Sequence, residues 1–123
     1  MSKVRGVRGA TTVILNDKSE ILEATAELLR EMVQKNEIET DDIASVIITM
    51  TEDLDVVFPA QAAREYLNWE HIPLMCAKEI PVAGSLKNCI RVMLHINTDK
   101  SPHEIKHIFL REAVRLRPDL VKE

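Results

Sequence analysis

Hydrophobic and polar positions change period several times along this chain. From Val4 to Ala10 they read as a first strand, and alternation places Arg8 on the face that carries Val4 and Gly6. The polar link Asn16-Asp17-Lys18-Ser19 offers helix N-caps, with Asp17 and Glu20 at capping-box spacing. Ile21, Leu22, Leu28, Leu29, Met32 and Val33 then recur at helical intervals, which predicts about four turns laying one apolar face on a sheet.

After a second cap-like cluster, Thr40-Asp41-Asp42, the β-branched run Ala44-Ser45-Val46-Ile47-Ile48-Thr49-Met50 has no helical period and reads as a buried strand. Phe58 to Arg64 opens a second helix, with Pro59 in the first turn, where a missing N–H costs nothing. Ile72 to Glu79 is extended and starts at a sheet edge, because Pro73 has no N–H to give a ladder. Ile90 to Ile96 alternates cleanly, so Ile90, Val92, Leu94 and Ile96 share one face and Arg91 takes the other. A last strand, His107 to Leu110, precedes a short helical turn and the tail Leu116-Arg117-Pro118-Asp119-Leu120. No repeat, linker or low-complexity stretch divides residues 1–123, so the expectation is one α+β domain, a mixed β-sheet packed with helices on one side.

Composition narrows the function. With 123 residues, 46% of them hydrophobic, the chain supports a real core but is small for enclosing a deep pocket, which a cleft shared with another copy would provide. A net charge of −4 and only 3% aromatics speak against a nucleic-acid surface, which needs a basic stripe and stacking rings. The sequence contains no apolar run long enough to span a bilayer and no apolar signal core before Asn16, so a soluble cytoplasmic protein is expected. Cys76 and Cys89 lack zinc-ribbon spacing, and His71, His95, His103 and His107 form no recognisable metal triad, so no metal is expected and the thiols read as reduced.

The chemistry then rests on Arg8, Cys76, Glu79, Arg91 and Arg117, charged or reactive groups that interrupt or border strands with no need of them. A half-buried charge is costly unless paired, so each either faces solvent or helps form a polar cleft. Arg8, between Gly6 and Gly9, has room for its guanidinium to meet a flat anion such as a carboxylate. Cys76 has no neighbouring base or helix N-terminus to generate a thiolate and reads as a lining residue. The residue types reach an anion-binding cleft with arginines and one acidic acceptor, and they do not name a reaction.

Taken together and in order, Arg5-Gly6-Val7-Arg8-Gly9-Ala10-Thr11-Thr12, Phe58-Pro59-Ala60, Glu79 with Gly84-Ser85-Leu86, Ile90-Arg91-Val92 and Leu116-Arg117-Pro118-Asp119-Leu120 resemble the monofunctional chorismate mutases of the AroH type. The resemblance implies a pseudo-α/β-barrel homotrimer with an active site at each subunit interface. It implies conversion of chorismate to prephenate, on the route to phenylalanine and tyrosine, without a cofactor. It further implies that Arg91 donates to the ether oxygen, that Glu79 accepts from the ring hydroxyl near Cys76, and that Arg8 holds a carboxylate. Leu74 and Met75 would form a wall, Phe58, Ala60 and Arg64 would come from the neighbouring subunit, and residues 112–123, with Leu116 and Arg117, would form a mobile closing tail. Phe109 stands where the family usually has a tyrosine, and Gln61 where some members have lysine; both departures bear on affinity more than on chemistry. Two other readings stay open: a non-catalytic trimer that binds an anionic metabolite, and an unrelated lyase or isomerase with Cys76 as nucleophile.

Overall fold

The computed structural model describes residues 2–116. Its elements follow the predicted order: β1 (Lys3–Thr12), α1 (Lys18–Lys35), β2 (Ile43–Met50), α2 (Ala60–Leu67), β3 (Leu74–Lys78), β4 (Cys89–Thr98) and β5 (Ile108–Phe109), with short 3-10 turns at Thr40–Asp42, Pro102–Glu104 and Arg111–Leu116. The five strands form one mixed sheet in the order β3-β2-β4-β1-β5. The two central pairings, β2 with β4 and β4 with β1, are antiparallel, and the two outer ones are parallel.

Local sequence explains where the elements begin. The Asp17 carboxylate accepts the Glu20 backbone N–H at 3.0 Å and caps α1. Glu20 does not return the bond to residue 17; its carboxylate accepts from Ile14 N–H at 2.5 Å, tying the helix start to the end of the preceding link. α1 runs 18 residues, longer than the four turns its apolar spacing predicts. At its end, buried Asn36 donates to the Met32 carbonyl at 2.9 Å and the Lys106 carbonyl at 2.8 Å, and accepts from Lys106 N–H at 2.7 Å. This one side chain fastens the approach to β5 onto the helix.

Both α-helices lie on one sheet face, as expected. Ile21, Leu28, Leu29 and Met32 of α1 share a core with Val7, Val46, Ile48, Ile90, Val92, Leu94 and Ile96 from the strands. The other face is open over most of its area, and one end is covered by the Arg111–Leu116 turn, where Ala10, Cys89, Phe109 and Ala113 form a separate apolar cluster with Leu116 packed against it. β2, expected to be buried, is buried on one face only, because its outward positions project where no helix lies; Ile47 is 37% exposed there. Val4 and Met75, 60% and 67% exposed, add to this apolar open face.

Gly9 has a different role from the one its neighbour suggests. It lies on the helix side of β1, opposite in parity to Arg8, and a Cβ there would sit 2.4 Å from Met32 Sδ and 3.1 Å from Leu28 Cδ1. The missing side chain therefore lets α1 approach the sheet and makes no room for the guanidinium; only Gly6 shares the face of Arg8. Gly9→Ala forces buried Met32 and Leu28 apart, and a loss of about 1–3 kcal/mol in unfolding free energy is expected by urea denaturation, against an unchanged midpoint if the contact relaxes freely.

Candidate functional site

The site grows from strand register. Ala77, Thr49, Arg91, Ala10 and Phe109 stand in one row across all five strands, so their side chains leave the same, open face. Two residues along β1, Arg8 pairs with Met93, which pairs in turn with Ile47, extending that face by a second row. The burial of Ile90, Val92, Leu94 and Ile96 on the other side leaves Arg91 no alternative direction.

Glu79 joins the row from beyond the end of β3. Its backbone N–H donates to the Met50 carbonyl at 2.9 Å, which continues the β2 pairing for one residue more. Parity then turns the carboxylate to the open face, where Oε1 lies 3.4 Å from Arg91 Nη1 and Oε2 accepts the Thr49 hydroxyl. The Glu79 side chain is 22% exposed and that of Arg91 47%, so the pair is accessible to a ligand but partly shielded from water. Arg8, Ile47, Thr49, Glu79, Arg91 and Phe109 surround a cavity of 270 Å³. It offers two guanidinium groups and one carboxylate over an apolar floor, a setting for a small anion that also carries a hydrogen-bond donor.

The edges of this cavity are fixed by backbone contacts. Arg8 N–H donates to His107 Nδ1 at 3.0 Å, holding β1 against the approach to β5. At the other end, Arg111 adopts φ 54°, a left-handed conformation unusual for a residue with a Cβ. Its guanidinium donates to the Thr12 carbonyl at 3.0 Å and lies 3.6 Å from Glu27, contacts that hold the turn against strain. Cys89, two residues before Arg91 on the same strand face, is buried, and that burial pushes its thiol up to about 11, with Arg91 opposing; it is neutral at physiological pH and serves as packing.

The other residues expected at the site lie elsewhere in the chain. Cys76 and Leu74 project to the helix side of β3, opposite Glu79, so the Cys76 thiol and the Glu79 carboxylate of one chain do not meet. Cys76 instead lines a second cavity of 710 Å³ with Phe58, Gln61, Val57, Met50 and Lys78. Phe58, 73% exposed, stands just before α2, whose first residue, Ala60, is buried and whose Arg64 is exposed. Met75 is exposed on the open face beside Ile47, and Arg117 lies outside the described residues. Thr49, Ile47 and Met93 are cavity residues that periodicity did not single out, since only the pairing of β2 with β4 reveals that they flank the arginines. Among the described residues, no three His, Cys, Asp or Glu side chains are grouped to hold a metal ion, and no helix is long and apolar enough to cross a membrane.

The chain is similar to known proteins along nearly its full length. Residues 4–120 match the family model described as chorismate mutase type I. The chain is 43% identical to chorismate mutase AroH of Bacillus subtilis over 117 residues, spanning 95% of this chain and 92% of that protein. It is 49% identical to chorismate mutase AroH of Thermus thermophilus over 118 residues, or 95% and 96% of the two chains. Among solved structures, a chorismate mutase from Clostridium thermocellum superposes with a TM-score of 0.87 at 53% identity, covering 89% of this chain and 96% of that one. The chain belongs to the chorismate mutase type I family.

Proposed function

We propose that this protein is a chorismate mutase, an isomerase that converts chorismate to prephenate on the route to phenylalanine and tyrosine, and that Arg91 is its principal catalytic residue. Family membership supports the activity, and the observation that carries the site assignment is the cavity in which Arg91 faces Glu79 with Arg8 alongside. Chorismate carries two carboxylates, an enol ether and a ring hydroxyl. Its rearrangement breaks the ether C–O bond as a new C–C bond forms within the same molecule, so no nucleophile, external acid or cofactor takes part.

What such a reaction asks of a protein is charge in fixed places. As the C–O bond stretches, the oxygen gathers negative charge and the ring gathers positive character. Arg91 supplies donors at the oxygen and Glu79 a carboxylate that accepts from the ring hydroxyl near the developing cation. Arg8 binds the side-chain carboxylate and holds the enolpyruvyl arm over the ring, an orientational contribution. A preorganised donor aimed at developing charge is worth about 3–4 kcal/mol in rate, against about 1.5–3 kcal/mol for a hydrogen bond to a charged group, so Arg91 outweighs the positioning groups.

One chain carries the two halves of this site in different places. The half with Arg8, Glu79, Arg91 and Phe109 is on the open face, and Phe58 and Cys76 line the second cavity, near the start of α2. In the proposed homotrimer, a neighbouring copy brings its Phe58, Ala60 and Arg64 to this chain's Arg91. The exposed apolar positions Phe58, Met75, Val4 and Ile47 support burial between copies. Residues 112–123, including Leu116 and Arg117, are proposed to close over the bound substrate.

Three measurements check this reading. The purified protein should consume chorismate, followed by its ultraviolet absorbance, with prephenate as the product; binding without turnover would favour the non-catalytic alternative. Arg91→Ala should lower kcat/KM by about 100-fold or more, and Arg91→Lys should not restore it, because a point charge does not span two oxygens. Near-normal turnover of either variant would remove Arg91 from the chemistry. Phe109→Tyr should lower KM several-fold with kcat little changed, since it adds a donor at the cavity wall; an unchanged KM would make the hydroxyl irrelevant in this protein.

A further inference from the structure

We infer that Thr49 is a positioning residue for Glu79: its hydroxyl holds one carboxylate oxygen so that the other stays available to the ligand and is not drawn fully onto Arg91. The inference rests on the reading of Glu79 as part of the site. A side-chain hydrogen bond joins Thr49 to Glu79, and the Glu79 backbone N–H donates to the carbonyl of Met50, the residue after Thr49, at 2.9 Å. The register also places Thr49 directly opposite Arg91 on β4, so the hydroxyl sits beside the ion pair it divides.

The physical argument concerns what the carboxylate would otherwise do. A free glutamate beside an arginine prefers the two-bond fork, with both oxygens on the guanidinium. Here only Oε1 approaches Arg91, at 3.4 Å, and Oε2 is taken by Thr49. A β-branched side chain on a strand has few χ1 states, so Thr49 holds this oxygen with little conformational freedom of its own. The consequence is twofold: Arg91 keeps donors free for an oxygen of the ligand, and the Glu79 carboxylate has a fixed direction.

Several charges surround Glu79. Arg91 of β4 faces it directly, and Arg8 of β1 lines the same cavity. Lys78 precedes it on β3 but turns its ammonium to Glu52 at 3.6 Å, while Glu52, Asp53 and Lys87 share a further cavity with Glu79 on its other side. Cys89, two residues before Arg91 on the same strand face, is buried and its thiol is pushed up to about 11, so it carries no charge beside the pair. Among these groups, the Thr49 hydroxyl is a neutral donor to the Glu79 carboxylate and fixes its direction.

The test compares Thr49→Val, which keeps shape and strand preference but removes the hydroxyl, with Thr49→Ser, which keeps the hydroxyl. Folding of each is checked by circular dichroism, and kcat and KM for chorismate are measured at neutral pH. Thr49→Val is expected to lose about tenfold in kcat/KM, while Thr49→Ser stays within about threefold of the parent. A loss below threefold in Thr49→Val, or an equal loss in Thr49→Ser, overturns the inference. Glu79→Gln separates the underlying reading: full activity there removes Glu79 from the site, whereas a loss there beside an unaffected Thr49→Val removes only Thr49.

Discussion

Burial of one face of β4 is the constraint on which the site depends. Ile90, Val92, Leu94 and Ile96 are all within a few per cent of complete burial. Each aliphatic side chain of this kind contributes about 1.5–3 kcal/mol when removed from water. A register slip by one residue would expose all four and bury Arg91, Met93 and His95 in their place, a reversal the chain does not tolerate. By comparison, an accessible Arg–Glu pair is worth about 0–1 kcal/mol. The direction of Arg91 is therefore set by the apolar residues on either side of it and not by its own partner, which leaves its guanidinium free for a ligand.

The same logic spreads outward from β4. Because it is the central strand, its parity is copied through hydrogen-bonded pairing to Thr49 on β2 and Ala10 on β1, and from these to Ala77 and Phe109 at the edges. Gly9 acts on the other face: by admitting Met32 and Leu28, it sets the closeness of α1 to β1 and steadies the strand that carries Arg8. Glu79 lies just beyond the last strand residue and is held to the sheet by one backbone bond. It consequently needs lateral support that Arg91, fixed in mid-strand, does not, and the Thr49 hydroxyl is placed to give it.

Much of this was legible from periodicity. The order of seven main elements, the Asp17 cap, the edge position of the segment after Pro73 and the outward turn of Arg91 all follow from local patterns, because each depends on neighbours within a few residues. The role of Gly9 was not legible, since its reason lies in contact with Leu28 and Met32, about twenty residues further along the chain. Nor was that of Thr49, whose significance comes from cross-strand register, or of Asn36, which reaches Lys106 across the fold. The separation of Cys76 from Glu79 was in principle readable: in one extended segment, residues three apart point to opposite faces.

That parity bears on why a chain of this size is useful as a catalyst. The cavity around Arg91 has a volume of 270 Å³ and opens on a sheet face with exposed apolar residues, so by itself it leaves bound anions accessible to water. Water weakens the charge interactions on which a rearrangement without acid, base or nucleophile depends, since the worth of a fixed donor falls as the local dielectric rises. A single layer of strands with helices on one side has no second wall to offer on the open face. A second cavity lies elsewhere in the chain, around Phe58 and Cys76. The proposed association of copies sets the Phe58 region of one chain over the open face of another, and so meets with one 123-residue sequence an enclosure that a lone chain would have needed a second layer to supply.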